Sequence, residues 1–351
     1  MRAAITDGKG NVKLMDIPEP KPDSYQCLCK IEACATCTGT DKKLVNGQMP
    51  WANKYPAILG HESFGTVIHC GDKVSVIHCG DKVRNIKIGD RFLRPAAAYP
   101  GTLLGDYASW MGGFAEYGLV TDNKALTEDN PDVVIDPYSV YQQLIPPQIE
   151  IDPADATMLV TLKEIASSIR DLKIKFGSKV VVLGTGAVSL SMCYFAKLNG
   201  AYPVIALGRR DLPLEGCRKT GADFVINMQK ENMTEKVMEY TEQAGADFVL
   251  DAVGDSSLIL ESAKSLAKYG AICSYAGGGS LSIEKVKGPA RWQYIQGGPD
   301  EASAHQYLLD LVRMQAVPLK NFYSHTIQFE NFEDGFKMLL EKQASKIVFT
   351  M

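Results

Sequence analysis

From its start the chain alternates apolar and polar positions with a period of two, over 1–6, over 12–17 and, after the Pro18-Glu19-Pro20-Lys21-Pro22 break, over 25–33. That period predicts strands, because successive side chains of a strand point to opposite faces. In the third stretch Cys27, Cys29, Ile31 and Ala33 share one face and Gln26, Lys30 and Glu32 the other, so both cysteines read as small core residues. The middle of the chain has a different character. Between Lys179 and Gly279, short apolar runs at 180–183, 203–207, 224–226, 247–251 and 271–275 alternate with helical patterns. Such alternation predicts a parallel, doubly wound α/β sheet whose ligand edge lies at the C-terminal ends of its strands. A helix is expected over 151–171. Beyond Gly298-Pro299 the pattern predicts a helix over 302–314, then strand, helix and strand over 325–329, 332–341 and 346–351. These last elements return to the β-rich part, which makes that domain discontinuous.

The run Val180-Val181-Val182-Leu183 ends in Gly184-Thr185-Gly186, and Ala187 and Val188 open the helical pattern that follows. Strand, glycine turn and helix form the opening of a dinucleotide-binding unit. Gly184 permits the tight turn, Gly186 lets backbone N–H groups approach a pyrophosphate, and the helix N-terminus offers it partial positive charge. Ser189 stands where the third glycine of such a turn is expected, slightly widening the helix–strand contact without removing the phosphate cradle. The next strand ends in Gly208-Arg209-Arg210, where an NAD site would carry a carboxylate for the ribose 2′-hydroxyl. Two guanidiniums suit a 2′-phosphate instead, so the expected cofactor is NADP(H) in preference to NAD(H). Ala252, Val253 and Ala276 stand at later strand ends and are expected to flank the nicotinamide half, although small residues there are equally ordinary turn chemistry.

A length of 351 residues fits two domains, and a net charge of −4 without a long single-sign run points to no nucleic-acid or membrane partner. The opening Met1-Arg2-Ala3-Ala4-Ile5-Thr6 shows no apolar signal segment. The long uncharged run Val180 to Ala196 contains the glycine turn and reads as strand plus helix. Nine cysteines, an odd number without framework spacing, fit a reducing cytoplasm in which thiols stay free.

Candidate chemistry lies in two loops, Cys34-Ala35-Thr36-Cys37-Thr38-Gly39-Thr40-Asp41 and Gly60-His61-Glu62. A thiol, an imidazole and a carboxylate are donors that zinc takes, and three protein ligands with an open position is the catalytic pattern. Between 67 and 83 the octapeptide Val-Ile-His-Cys-Gly-Asp-Lys-Val occurs twice around Ser75, and each copy reads as a strand end with a Gly-Asp turn, so an extra hairpin is expected. The matching His69, Cys70, His78 and Cys79 follow from the copying and need no metal. Residues 121–144 are polar, contain Pro131 and Pro137, and read as a surface insertion.

The ordered set of Cys37 with Gly39-Thr40-Asp41, Gly60-His61-Glu62, Gly89-Asp90-Arg91, Gly112-Gly113-Phe114-Ala115-Glu116-Tyr117, the glycine turn, Gly221-Ala222-Asp223 and Asp251-Ala252-Val253-Gly254 resembles the medium-chain dehydrogenase/reductase superfamily, in its zinc-dependent alcohol and polyol dehydrogenases. The resemblance implies a GroES-like β-rich catalytic domain over 1–152 and 296–351, and a Rossmann NADP-binding domain over 153–295. It implies one catalytic zinc on Cys37, His61 and Glu62, with Asp41 orienting His61 and Thr40 passing the substrate proton. One residue more than usual separates Cys37 from Asp41, which leaves Thr38 as an alternative relay. Where many relatives carry a further ligand this chain has Thr161, with Glu164 one helical turn later as a substitute. No cysteine stands between Cys79 and Cys193, so no structural zinc is expected. Tyr99, Tyr107, Trp110 and Phe114 either line a substrate cleft or pack that loop.

The activity so implied is reversible hydride transfer between NADP(H) and a secondary alcohol, polyol or hydroxylated ring and its ketone, in a cytoplasmic homodimer or homotetramer. Two alternatives accompany it: a zinc-free NADPH quinone or enone reductase on the same fold, and a non-catalytic NADP(H)-binding protein.

Overall fold

The computed structural model describes residues 1–49, 52–68, 79–276, 293–296 and 300–351. Most of the tandem repeat, and with it the expected hairpin, lies outside the described residues. Two compact units divide the chain, Met1–Val160 with His305–Met351, and Thr161–Ala304.

The first unit is β-rich and is built around strand Gln26–Ala35. This strand pairs antiparallel with Glu62–Val67, from Cys29 opposite Val67 to Ala35 opposite Glu62. On its other edge it takes Tyr117–Thr121 and then Ile347–Thr350, with Ala35 opposite Val348. That register sets the site. Ala35 lies between Glu62 and Val348, so the loop leaving the strand toward Cys37 emerges beside Glu62 on one side and Lys346 on the other. Two bonds pin it there, from the Thr36 N–H to the Ile347 carbonyl (2.8 Å) and from the Ile347 N–H to Thr36 Oγ1 (3.0 Å). Beneath lies an aromatic core in which Phe332 stands 5.0 Å from Phe114 and 4.5 Å from Phe349, ring centre to ring centre. Edge and tilted contacts of this kind add to the area that the rings bury.

The segment expected as a surface insertion is part of this unit. Asp122 caps helix Asn123–Asp129 by accepting from the Ala125 N–H, and Tyr138 and Gln142 are buried. The Gln142 amide donates to the carbonyls of Leu119 (2.8 Å) and Arg94 (3.1 Å), while its oxygen accepts from Tyr99 Oη at 2.7 Å. Polar side chains spent on backbone groups look like a solvated loop in the sequence. Of the four aromatics, Tyr99, Trp110 and Phe114 are buried as packing, with Trp110 Nε1 donating to the Lys54 carbonyl, while Tyr107 is half-buried.

The second unit is a six-stranded sheet in the order Phe224–Asn227, Val204–Gly208, Val180–Leu183, Ala246–Asp251, Leu266–Ser274, Gln293–Gln296, and every pairing is parallel. In chain order that is 3-2-1-4-5-6, the doubly wound dinucleotide-binding arrangement. The strand expected at 271–275 begins earlier, at Leu266, because Lys268, Tyr269 and Gly270 break the apolar pattern without breaking the strand. Val181, Leu183, Ile205, Leu207, Val249 and Ile272 form one buried face with Met233, Val237 and Ile259 from helices Met233–Tyr240 and Ser256–Ser262. Pairs Leu183–Leu207 and Leu183–Asp251 align the strand ends, so Gly184, Arg209 and Ala252 all leave the same edge of the sheet.

Candidate functional site

In the first unit Cys37 caps helix Thr38–Val45, in extended conformation at φ −112° and ψ 90°. Its N–H donates to Asp41 Oδ2 at 2.8 Å, and the Asp41 N–H returns a bond of 2.8 Å to the Cys37 carbonyl. The extra residue of this loop is therefore absorbed as helix, which places Asp41 one turn after Cys37. His61 and Glu62 are positioned from behind by Arg94, a buried guanidinium that donates to the His61 carbonyl at 2.8 Å.

The side chains of Cys37, His61 and Glu62 bring a sulfur, a ring nitrogen and a carboxylate oxygen within 4.8 Å of one another. Among the described residues this is the one cluster of three or more such side chains so arranged. Thr40 Oγ1 lies 3.5 Å from the Cys37 sulfur, whereas the Thr38 hydroxyl donates to the Ser345 carbonyl at 3.2 Å near the surface. Lys346 Nζ donates to Glu62 Oε2 at 2.5 Å, a buried ion pair that no sequence pattern announced.

The electrostatics of this group suit a cation. Burial, reinforced by the Glu62 charge and opposed by Lys346, pushes the Cys37 thiol up to about 12. Burial raises the Asp41 carboxyl to about 6 against the opposing pull of His61. Asp41 Oδ1 and His61 Nδ1 are both buried and make no hydrogen bond. A divalent ion reverses the thiol's penalty, because a coordinated thiol is held as thiolate. The donor set, one thiolate sulfur, one imidazole and one carboxylate, is of the catalytic-zinc type.

In the second unit the turn after strand Val180–Leu183 opens on a glycine at positive φ. Gly184 sits at φ +110°, and a Cβ there would stand 2.7 Å from Ser189 Oγ. Ser189 thus fills the room that Gly184 leaves, which is how a serine is tolerated at the third glycine position. Gly186 precedes helix Ala187–Leu198 with open space where its Cβ would lie. At Gly208 a Cβ would meet Thr185 Cγ2 at 2.6 Å, so that strand end also requires glycine. Arg209 and Arg210 follow, both exposed; Arg209 reaches Asp255 at 3.7 Å, and Arg210 caps helix Asp211–Lys219.

Asp251 stands in the motif Asp251-Ala252-Val253-Gly254, but the sequence assigned it no role. Its buried carboxylate accepts from the N–H groups of Val253 (2.9 Å) and Gly254 (3.0 Å) through Oδ1 and from Ser274 Oγ (2.8 Å) through Oδ2. The turn that carries Ala252 and Val253 is tied down by that one side chain. Ala276 comes within reach of the same turn, its Cβ 3.1 Å from where a Gly254 Cβ would stand. Glu164 accepts from Tyr275 Oη at 3.1 Å, and Thr161 is buried in the same unit.

Residues 23–129 match the alcohol dehydrogenase GroES-like domain, and residues 187–290 match the zinc-binding dehydrogenase domain. The NADP-dependent isopropanol dehydrogenase of Clostridium beijerinckii is 27% identical over 341 residues, covering 92% of this chain and 92% of its own. The L-threonine 3-dehydrogenase of Pyrococcus abyssi (strain GE5 / Orsay) is 26% identical over 359 residues, covering 97% and 95%. In fold, the chain superposes on the alcohol dehydrogenase of Thermus sp. ATN1 with a TM-score of 0.78 at 21% identity, over 100% of this chain and 99% of that one. The chain belongs to the medium-chain zinc-type alcohol dehydrogenase superfamily and is an oxidoreductase of that class, whose members use a catalytic zinc and a nicotinamide cofactor. Among the described residues no helix is long and apolar enough to cross a membrane.

Proposed function

We propose that the protein is an NADP(H)-dependent dehydrogenase of secondary alcohols, with its zinc on Cys37, His61 and Glu62. The observation that carries the metal assignment is the convergence of those three donors, with His61 and Glu62 buried and Cys37 half-buried. When bound, zinc supplies Lewis-acid stabilisation of charge that develops on the substrate oxygen, and the nicotinamide supplies the hydride carrier.

The chain's own residues do the rest. Asp41 fixes the Cys37 backbone through its N–H. Lys346 offsets the charge of Glu62, so thiolate and carboxylate together do not cancel a divalent ion, and net positive charge remains to face a substrate oxygen. Thr40, whose hydroxyl lies beside the Cys37 sulfur, is the residue we assign to take the substrate proton; Thr38 is committed to Ser345. The glycine turn at Gly184 and Gly186, with Ala187 and Val188 opening the helix, cradles the pyrophosphate. Gly208, Arg209 and Arg210 hold the ribose 2′-phosphate, and Ala252, Val253 and Ala276 border the nicotinamide.

Two exposed guanidiniums where an NAD site wants a carboxylate support the NADP(H) preference. Two of the relatives are named for secondary alcohols, isopropanol and the 3-hydroxyl of L-threonine, which supports the substrate class. A homodimer or homotetramer is part of this reading and is checked by light scattering. The test of the cofactor assignment is paired titration of NADPH and NADH against wild type and Arg210→Ala. We expect NADPH to weaken by roughly tenfold or more and NADH by less than about twofold, as loss of a charge-assisted contact to the 2′-phosphate requires. Equal weakening of both would overturn it.

A further inference from the structure

We propose that Cys27 and Cys79 are a built-in cross-linking pair, which a low-molecular-weight disulfide converts to a protein disulfide. Cys79 is the fourth residue of the second copy of the repeated octapeptide, a motif for which the dehydrogenase chemistry has no use. It makes an antiparallel bridge to Cys27 at the start of the central strand Gln26–Ala35. The Gly80 N–H donates to the Gln26 carbonyl at 2.8 Å, so the backbone bond joins the flanking residues and Cys27 and Cys79 face each other as a non-hydrogen-bonded pair. Such pairs have the closest Cα atoms in an antiparallel ladder, about 4.5 Å, within the range that a disulfide spans. The two sulfurs are 2.7 Å apart.

The segment bearing Cys79 is held in place. The Lys82 N–H donates to the Ser24 carbonyl at 3.0 Å, and a Cβ on Gly80 would stand 2.1 Å from the Asp23 carbonyl oxygen, so only glycine allows this close approach. Around the pair are Cys29, Val67, Phe92, Val120, Val83 and Ile86, an apolar setting.

Access differs between the two thiols, and that orders the steps. Cys27 is fully buried, and burial together with its bond to Cys79 raises its pKa strongly. Cys79 is half-buried, the more exposed of the two. The Cys79 thiolate attacks one sulfur of the reagent disulfide and expels the first thiolate, forming a mixed disulfide. The Cys27 thiolate then attacks Cys79 Sγ and expels the second. Both protein thiols lose a proton, their sulfurs give up two electrons in all, and the reagent is reduced to two thiols. Cys193 and Cys217 are also hydrogen-bonded neighbours, but both are sealed in the second unit, so no reagent reaches them. The new bond closes a ring between residues separated by 52 positions, and Cys37, His61 and Glu62 all lie inside it. Closure restricts the unfolded chain and stabilises the folded one.

The experiment is to treat the purified protein with glutathione disulfide, block remaining thiols, digest, and map linked peptides by mass spectrometry. We expect a loss of about 2 Da, one linked pair joining Cys27 to Cys79, and a Tm raised by roughly 4 °C that dithiothreitol restores. Cys79→Ser, at the half-buried position, keeps the fold and shows neither the link nor the shift. Nine unreacted thiols, stable glutathionylation of Cys79, or a bond from Cys79 to Cys70 would each overturn the proposal.

Discussion

Lys346 and Glu62, 284 positions apart in the chain, form an ion pair of 2.5 Å in which the two side chains retain only 3% and 2% of their exposure. Neither charge has solvent to fall back on. Removing one partner from such a pair leaves the other charged and desolvated, at a cost of about 3–5 kcal/mol. We expect Lys346→Met to lower unfolding stability by that amount in guanidinium titrations of chelator-treated, zinc-free protein, where Glu62 has no metal to face, and the double variant Lys346→Met/Glu62→Gln to recover most of it under the same conditions. A single variant within about 0.5 kcal/mol of wild type would show that the pair carries no such weight.

Asp251 is expected to act on cofactor binding without choosing between cofactors. Its carboxylate holds the Val253 and Gly254 N–H groups, not any part that differs between NADPH and NADH. Asp251→Ala frees the turn and should weaken both by about tenfold, or 1.4 kcal/mol. Fluorescence titration with each cofactor checks this, and selective loss of NADPH would contradict it.

Asp122 ties together helix Asn123–Asp129 and the Arg84-Asn85 turn. Burial raises its pKa, but the N–H groups of Ala125, Asn85 and Arg84 outweigh that effect and leave it below the ordinary carboxylate value. A depressed folded pKa means that the charged form is favoured by folding, so this stability is present above about pH 3.9 and is lost as pH falls through the folded value. Asp122→Asn should therefore be less stable than wild type at pH 7, by about 1–2 kcal/mol, with the difference vanishing near pH 2. Denaturation at both pH values measures it; a difference that persists in acid would contradict the account.

What the sequence made legible was short-range. The strand, glycine turn and helix at 180–198 and the arginines after Gly208 are contiguous patterns, and each lies where its spacing implied. Cys37, His61 and Glu62 stood out as candidate donors because zinc ligands are few in kind and these stood in glycine-bearing loops, and the structure brings their donor atoms within 4.8 Å of one another. Lys346 was not readable, because a lysine between Ser345 and Ile347 resembles a solvated strand end until the register of Val348 against Ala35 places it beside Glu62. The role of Asp251 was hidden in the same way, as a carboxylate ending an apolar strand whose partners are two backbone N–H groups and the Ser274 hydroxyl. The segment 121–144 is largely at the surface, as its polarity implied, but the sequence did not show that Asp122 and Gln142 spend their polarity internally. In each case the missing information was which distant backbone the side chain meets.

The zinc content of purified wild type beside that of Cys37→Ser tests the central claim most directly, with far-UV circular dichroism on both. The account predicts one zinc per chain in wild type and a folded Cys37→Ser protein that has lost it. A wild type without zinc, or a Cys37→Ser variant that retains it, would contradict the assignment of Cys37, His61 and Glu62 as the metal centre.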